Sequence, residues 1–310
     1  MIRLENTDAR QINETLFRLR KEGQATSGQV LTLVVDTLAD EYEDAMREAQ
    51  EAGRLHPSRI LLAIRGMPGG DVLNAVVHQA TTSTEVVAIE MGGEIDKHAE
   101  SVLLPLLLPE LPVVIWWPNR CPDQPTTCDF GRLSSRLILD SMALPQSLDR
   151  VHKLAAQHRP GTTDLSWTRL TKWRALLLAS LDQVQSPVTS AAVAGPATAS
   201  RELIGAWLET QLGVPVSYAF AHDEANPGLH SVQLFTEAGE IRLERVSPID
   251  AVLALPDQPV RPVALARRTI QDMLTEELLR LTGDEALDDL MDYLARRGRR
   301  PDDDAGAPKS

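Results

Sequence analysis

The chain has 310 residues, 43% of them hydrophobic, enough for one large core or two ordinary ones, which excludes a disordered chain or a mini-protein scaffold. Its 31 Lys and Arg stand against 44 Asp and Glu, and the resulting formal charge of −13 repels polyanions, so nucleic acid is not an expected partner.

In chain order, Ile12, Leu16 and Leu19 share one helical face, with Thr7 or Asp8 placed to cap the helix and Gly23 to stop it. Val30 to Val35 is a β-branched apolar run, and the charged segment Leu38 to Ala52, ending at Gly53, has helical composition. Arg59 to Ile64, Val72 to Gln79 and Glu85 to Glu90 read as strands, separated by Gly66-Met-Pro-Gly-Gly70 and Thr81-Thr-Ser83. After Gly92-Gly93 a helix through His98 and Leu104 is expected to kink or end at Pro105, and Val113 to Trp117 suits a short buried strand. Leu137 to Asp140 follows as a strand, then a polar helix from near Gln146, and His158 to Asp164 has linker composition.

Beyond that segment, Trp167, Leu170, Arg174, Leu177, Leu178 and Leu181 recur at helical spacing. Ala191 to Gly195 reads as a strand and Ala197 to Leu212 as a helix. Val214 to Phe220, Ser231 to Phe235 and Glu240 to Val246 read as strands, the last two joined by a turn at Thr236 to Gly239. Ile270, Met273, Leu274, Leu278 and Leu281 form one helical stripe, and Leu287, Leu290, Met291 and Leu294 form a second, capped by Asp284. The expected fold class is α/β: two α/β domains, each a mixed sheet flanked by helices, with a helical C-terminal end. The expected boundaries are 1–162 and 163–298, with 299–310 a disordered tail.

No apolar h-region precedes a cleavage site near the N-terminus, so no secretory signal is expected. The greasiest stretch, Ser101 to Pro118, is interrupted by Glu110 and three prolines, whereas a membrane span needs about 20 mostly apolar residues. Only two cysteines, Cys121 and Cys128, occur in the chain, which suits a reducing cytoplasm rather than a disulfide scaffold.

The chemistry-bearing patterns are sparse. There is no G-x-G-x-x-G, no P-loop, no H-E-x-x-H, no C-x-x-C and no G-x-S-x-G, so neither a cofactor nor a metal is expected and no catalytic residue is assigned. The glycines at 66–70 and 92–93 can serve an anion, but tight turns need them equally. Cys121 and Cys128 flank the loop CPDQPTTC and are a candidate redox pair, set against the plainer reading of two unpaired loop thiols.

Aromatic residues make up 4% of the chain, yet four of its five tryptophans fall in two clusters, Trp116-Trp117 and Trp167 with Trp173. On a strand, Trp116 and Trp117 point to opposite faces. If Trp167 to Arg174 is helical, Leu170, Leu177 and Leu181 mark the buried side, which places Trp167 and Arg174 near the core and leaves Arg169 and Trp173 as contacts. Trp and Arg are the residue types that anchor interfaces, so Trp116, Trp117, Trp167, Arg169, Trp173 and Arg174 are the candidate partner-binding residues. The stretch Asp149 to Arg174 also carries six basic residues, Arg150, Lys153, Arg159, Arg169, Lys172 and Arg174, against Asp149 and Asp164. Such a strip suits an acidic partner or a phosphorylated metabolite, or is a solvated face balanced elsewhere.

Four segments together resemble the glucose-6-phosphate dehydrogenase assembly protein family, OpcA: His56-Pro-Ser-Arg59-Ile60, His98 to Pro118 with its double tryptophan, Asp164 to Asp182 (DLSWTRLTKWRALLLASLD), and Leu278 to Leu287. The likeness runs from about Leu55 to Leu294. It implies a non-catalytic cytoplasmic protein that binds glucose-6-phosphate dehydrogenase and promotes its assembly or activity. Leu133-Ser-Ser-Arg136-Leu-Ile-Leu-Asp140 departs from the family pattern in lacking a second basic residue beside Arg136. The competing reading is an enzyme or sensor binding a sugar phosphate or nucleotide at the C-terminal ends of its strands, at Gly66 to Asp71 or near Arg136.

Overall fold

The computed structural model describes residues 1–22, 28–78, 84–224, 226–280 and 282–298. Gly23, Gln79, the Thr81 to Ser83 turn, Leu281 and the expected tail at 299–310 lie outside the described residues. The elements fall into two units, each with its own sheet, and both sheets mix parallel and antiparallel pairs as the α/β reading expects.

The first unit comprises Met1–Ala143, Arg159–Thr163 and Ile270–Asp284. It opens with the edge strand β1 (Ile2–Leu4) and helix α1 (Ala9–Lys21), whose N-cap is Asp8, accepting from the Gln11 backbone N–H at 2.8 Å. Next come β2 (Leu31–Leu38), α2 (Tyr42–Gly53), β3 (Ser58–Arg65), β4 (Leu73–His78) and β5 (Glu85–Met91). The strand expected to end at Val35 runs to Leu38 because β2 pairs in parallel with β3 over its full length, and α2 starts correspondingly later. The helix expected through His98 is broken there into α3 (Gly93–Lys97) and α4 (Ala99–Leu103), and a single tight turn holds Pro105. Strand β6 (Val113–Trp116), helix α5 (Asp129–Leu133) and strand β7 (Arg136–Leu139) follow.

The chain then enters the second unit, which comprises Leu144–His158, Asp164–Thr269 and Glu285–Ser310. Helix α6 (Ser147–Ala156) belongs there, but the segment with linker composition carries β8 (Thr162–Asp164), the edge strand of the first sheet, whose order is β1-β4-β5-β3-β2-β6-β7-β8. The Gly161 carbonyl accepts from the Leu137 N–H at 2.9 Å, so Pro160 and Gly161 shape an entry to a strand. After β8 the chain forms α7 (Leu165–Thr168), α8 (Thr171–Val184), β9 (Val188–Ala194), α9 (Ala199–Leu212), β10 (Val216–Ala219), β11 (Ser231–Thr236), β12 (Gly239–Arg245), β13 (Asp250–Ala254) and β14 (Arg261–Ala264). The sheet order is β10-β9-β11-β12-β13-β14. β13 and β14 escaped the sequence reading because both are short and β14 carries Pro262, which an edge strand tolerates.

Helix α10 (Ile270–Leu279) returns to the first unit and packs on α2 through Met273, Leu274 and Leu278, whereas α11 (Glu285–Arg297) packs on α6 and α9 of the second. In the first sheet β2, β3, β5, β6 and β7 are all mutually parallel. The chain steps from β2 to β3 and β5 on one side and then to β6 and β7 on the other. The direction of winding therefore reverses between β2 and β6, where an open α/β sheet leaves a crevice at its carboxyl edge.

Candidate functional site

At that reversal Val35 pairs with Trp116, so the next residues along, Asp36 and Trp117, stand side by side at the carboxyl edge. Trp117 Nε1 donates to Asp36 Oδ2 at 2.9 Å, and Arg120 lies 3.3 Å from Asp36 Oδ1. Arg65, the last residue of β3, reaches the same oxygen at 3.7 Å and also pairs with Asp96. Asn119 donates to Thr37 at 3.4 Å. Trp116 and Trp117 are 0% and 1% exposed, so both indoles are packed inside and neither is presented at the surface. Burial pushes the Asp36 carboxyl up, against the opposing pull of Arg65 and Arg120. The carboxyl edge at the reversal thus holds an indole, a carboxylate and two guanidiniums bonded or paired to one another.

The glycine loops beside it are consumed by each other. A Cβ on Gly92 would collide with the Met67 carbonyl and lie 2.9 Å from that of Gly70, and Asp71 Oδ1 accepts from the Glu94 N–H at 2.7 Å. The close approach of the two loops accounts for Gly92 and Gly93, and φ values of +76°, +105° and +92° account for Gly66, Gly69 and Gly70, in each case without an anion. Arg136 opens β7 at the opposite edge, buried and paired with Glu277 of α10, and donates to the Thr282 carbonyl at 2.9 Å. Arg59 has the same kind of role. It pairs with Glu85 at 2.7 Å and donates to the Leu106 carbonyl at 2.6 Å.

Cys121 and Cys128 are not joined in a disulfide. Cys128 caps α5, its sulfur accepting from the Gly131 N–H at 3.4 Å, and burial pushes its thiol up, with the charges of Asp36 and Asp129 acting in the same direction. Among the described residues no group of three or more His, Cys, Asp or Glu side chains is placed to hold a metal ion.

The second cluster lies in the second unit. Asp164 caps α7, accepting from the Ser166 N–H at 2.8 Å, and Arg169 sits in the turn before α8. Trp167 is buried, and the Arg174 guanidinium stacks 3.5 Å from the centroid of its ring. Trp173, expected on the contact side, is only 3% exposed. The reason is spacing: it falls three residues after Leu170 and four before Leu177, on the same stripe as these two buried leucines, a period that the sequence already carried. Leu181, expected on the buried side, is half-buried, and Arg169 and Arg174 are partly exposed. The Arg245 guanidinium lies 5.5 Å from the Trp173 ring, a neighbour that no sequence pattern announced.

The basic strip is divided. Arg150 and Lys153 ride on α6, and Arg159 is drawn into the first unit, where it donates to the Gly131 and Ser134 carbonyls at 2.7 and 3.0 Å. Arg169, Lys172 and Arg174 remain together around the start of α8.

Two family models match the chain. One, described as the glucose-6-phosphate dehydrogenase subunit N-terminal domain, covers residues 49–156, and the other, described as the C-terminal domain of that subunit, covers residues 160–291. No curated protein matches it. No helix among the described residues is long and apolar enough to cross a membrane.

Proposed function

The chain belongs to the glucose-6-phosphate dehydrogenase assembly protein family, OpcA, whose domains have a role as a subunit associated with that enzyme, and we propose that it acts as a non-catalytic assembly factor or allosteric activator that binds the dehydrogenase in the cytoplasm. The observation that carries this reading is the pair of family matches, which together run through most of both units. At the β2–β6 reversal Trp117, Asp36 and Arg120 bond to one another, which weighs against the nucleotide reading at that place.

Activation of this kind requires tighter binding to the active, oligomeric state of the dehydrogenase than to its other states. The side chains that support the contact are the partly exposed Arg169 and Arg174, the latter stacked on the buried Trp167. Trp167 and Trp173 act beneath that surface within the second unit, while Trp116 and Trp117 are packed in the core of the first and take no part in it. A desolvated arginine anchor typically costs about 2 kcal/mol or more when truncated, roughly thirtyfold in affinity.

The experiment is co-purification with the native dehydrogenase, followed by its kinetics with and without this chain. Co-elution with a changed kcat or KM is expected, and Arg169→Ala weakens it while the chain stays folded. A chain that neither associates with the dehydrogenase nor alters its kinetics sinks the reading.

A further inference from the structure

Within the second unit, three cations outside the partner reading gather on the short segment between β14 and α10. Arg245, the last residue of β12, is 6% exposed, and its Nη1 donates to the carbonyls of Leu265, Ser247 and Pro248 at 2.7, 3.3 and 3.3 Å. Arg267 shares one of those carbonyls, since its backbone N–H donates to Pro248 O at 3.0 Å. Its own guanidinium donates to the Pro227 carbonyl at 2.5 Å, and Lys172 Nζ lies 3.5 Å from the Ala266 carbonyl. Each of the three therefore bonds only to main-chain carbonyls.

The physical consequence is an uncompensated charge. Burying a guanidinium costs several kcal/mol unless an anion accompanies it, and a carbonyl dipole offers only part of that. Burial and the nearby Arg267 lower the Arg245 pKa to about 10, and no carboxylate opposes them. Partial desolvation also lowers the pKa of Arg267, whose side chain still reaches the surface. The rest of the Arg245 guanidinium is not used up: among the described residues only its Nη1 donates to a carbonyl, which leaves Nε and Nη2 for a ligand. The Trp173 ring beside it keeps the guanidinium from swinging away.

We propose that Arg245, Arg267 and Lys172 form a binding site for a small phosphate-bearing molecule, the doubly charged oxyanion supplying the counter-charge that the protein itself omits. Guanidiniums suit such a ligand because their fork of N–H groups matches tetrahedral oxygens, and the ammonium adds a point charge. Gly228, with φ of +96°, places no side chain beside Arg267, where a Cβ would stand 3.6 Å from Nη1. The proposal is independent of the partner reading, since it concerns the isolated chain.

The test is titration calorimetry and thermal unfolding of the full chain with inorganic phosphate, at ionic strength held constant with chloride, and in parallel with glycerol phosphate. A ligand that binds only the folded state raises the melting temperature in a concentration-dependent way. Phosphate or its ester should do so, and Arg267→Gln and Lys172→Gln should each weaken binding by about tenfold, the loss of one charge-assisted contact. Both residues are exposed, so these variants remain folded, whereas Arg245→Gln removes the buried group that holds three carbonyls. Arg10→Gln, an exposed arginine of α1, serves as the control and should bind like wild type. Tighter binding of the ester identifies an organic phosphate as the ligand, and equal binding identifies phosphate itself. Absence of a phosphate effect beyond chloride, or an effect that survives both Arg267→Gln and Lys172→Gln, overturns the proposal.

Discussion

Trp117 donates its indole N–H to the Asp36 carboxylate at 2.9 Å, bridging β2 and β6 at the place where the winding of the first sheet reverses. Both side chains are buried, Trp117 at 1% and Asp36 at 2% exposure. The bond at this reversal is therefore part of the core.

That bridge predicts a cost for Trp117→Phe, which leaves the carboxylate short of one donor while keeping an aromatic ring. A buried acceptor deprived of its partner costs about 1–3 kcal/mol, so urea unfolding at neutral pH should show a loss in that range. A variant as stable as wild type would mean that Arg65 and Arg120 satisfy Asp36 unaided.

The pH dependence has a definite sign. Burial raises the Asp36 pKa, so the folded chain keeps this proton to higher pH than the unfolded chain does. The group therefore contributes most below its unfolded value of about 3.9, and its contribution falls as pH climbs through the raised folded value. Relative to Asp36→Asn, wild type should lose stability over that interval, read as a shrinking difference in urea midpoint. A difference that grows with pH would show that the arginines outweigh burial.

Truncation separates core from surface in the second cluster. Trp173→Ala empties a buried site and should cost about 3–5 kcal/mol. Arg169→Ala, in a partly exposed turn, should stay within about 1 kcal/mol while binding to the dehydrogenase weakens. Equal melting temperatures for the two variants would contradict this division.

The thiols should behave as cysteines outside any disulfide. The raised Cys128 thiol holds less thiolate at neutral pH than a free cysteine, so its alkylation should be slower than that of a small thiol. In the variant Cys121→Ser, Cys128→Ser the serine hydroxyl can replace the sulfur as the cap of α5, and the melting temperature should stay close to wild type. Activation of the dehydrogenase that depends on oxidant in wild type, and not in this variant, would establish the redox pair.

Glu277 ties α10 to the first unit through Arg136. Removing one partner of a buried pair costs about 3–5 kcal/mol, so Glu277→Ala should unfold early and expose α10 to protease. A fragment of residues 1–162 should likewise be insoluble, because it leaves bare the face of α2 that Met273, Leu274 and Leu278 cover. Adding a peptide of residues 270–284 should restore it.

The sequence by itself determined most of the elements, because their signals are local. Ile12, Leu16 and Leu19 have the period of a helix, the hairpin of β11 and β12 turns at Thr236 to Gly239, and Asp8 stands where a cap must. The family resemblance was legible for a related reason. Its segments contain residues with strict packing demands: Arg59 and Trp116 in the first unit, Trp167 and Trp173 in the second. Only the tertiary structure decided how the chain is shared between the units, since the return of α10 to α2 joins residues more than two hundred positions apart and no local pattern records a partner. The same holds for the charges. Arg245 lies on a strand with an ordinary alternating pattern, and its meeting with Trp173 and Arg267 depends on three separate chain segments converging, a fact of three-dimensional packing with no trace in spacing.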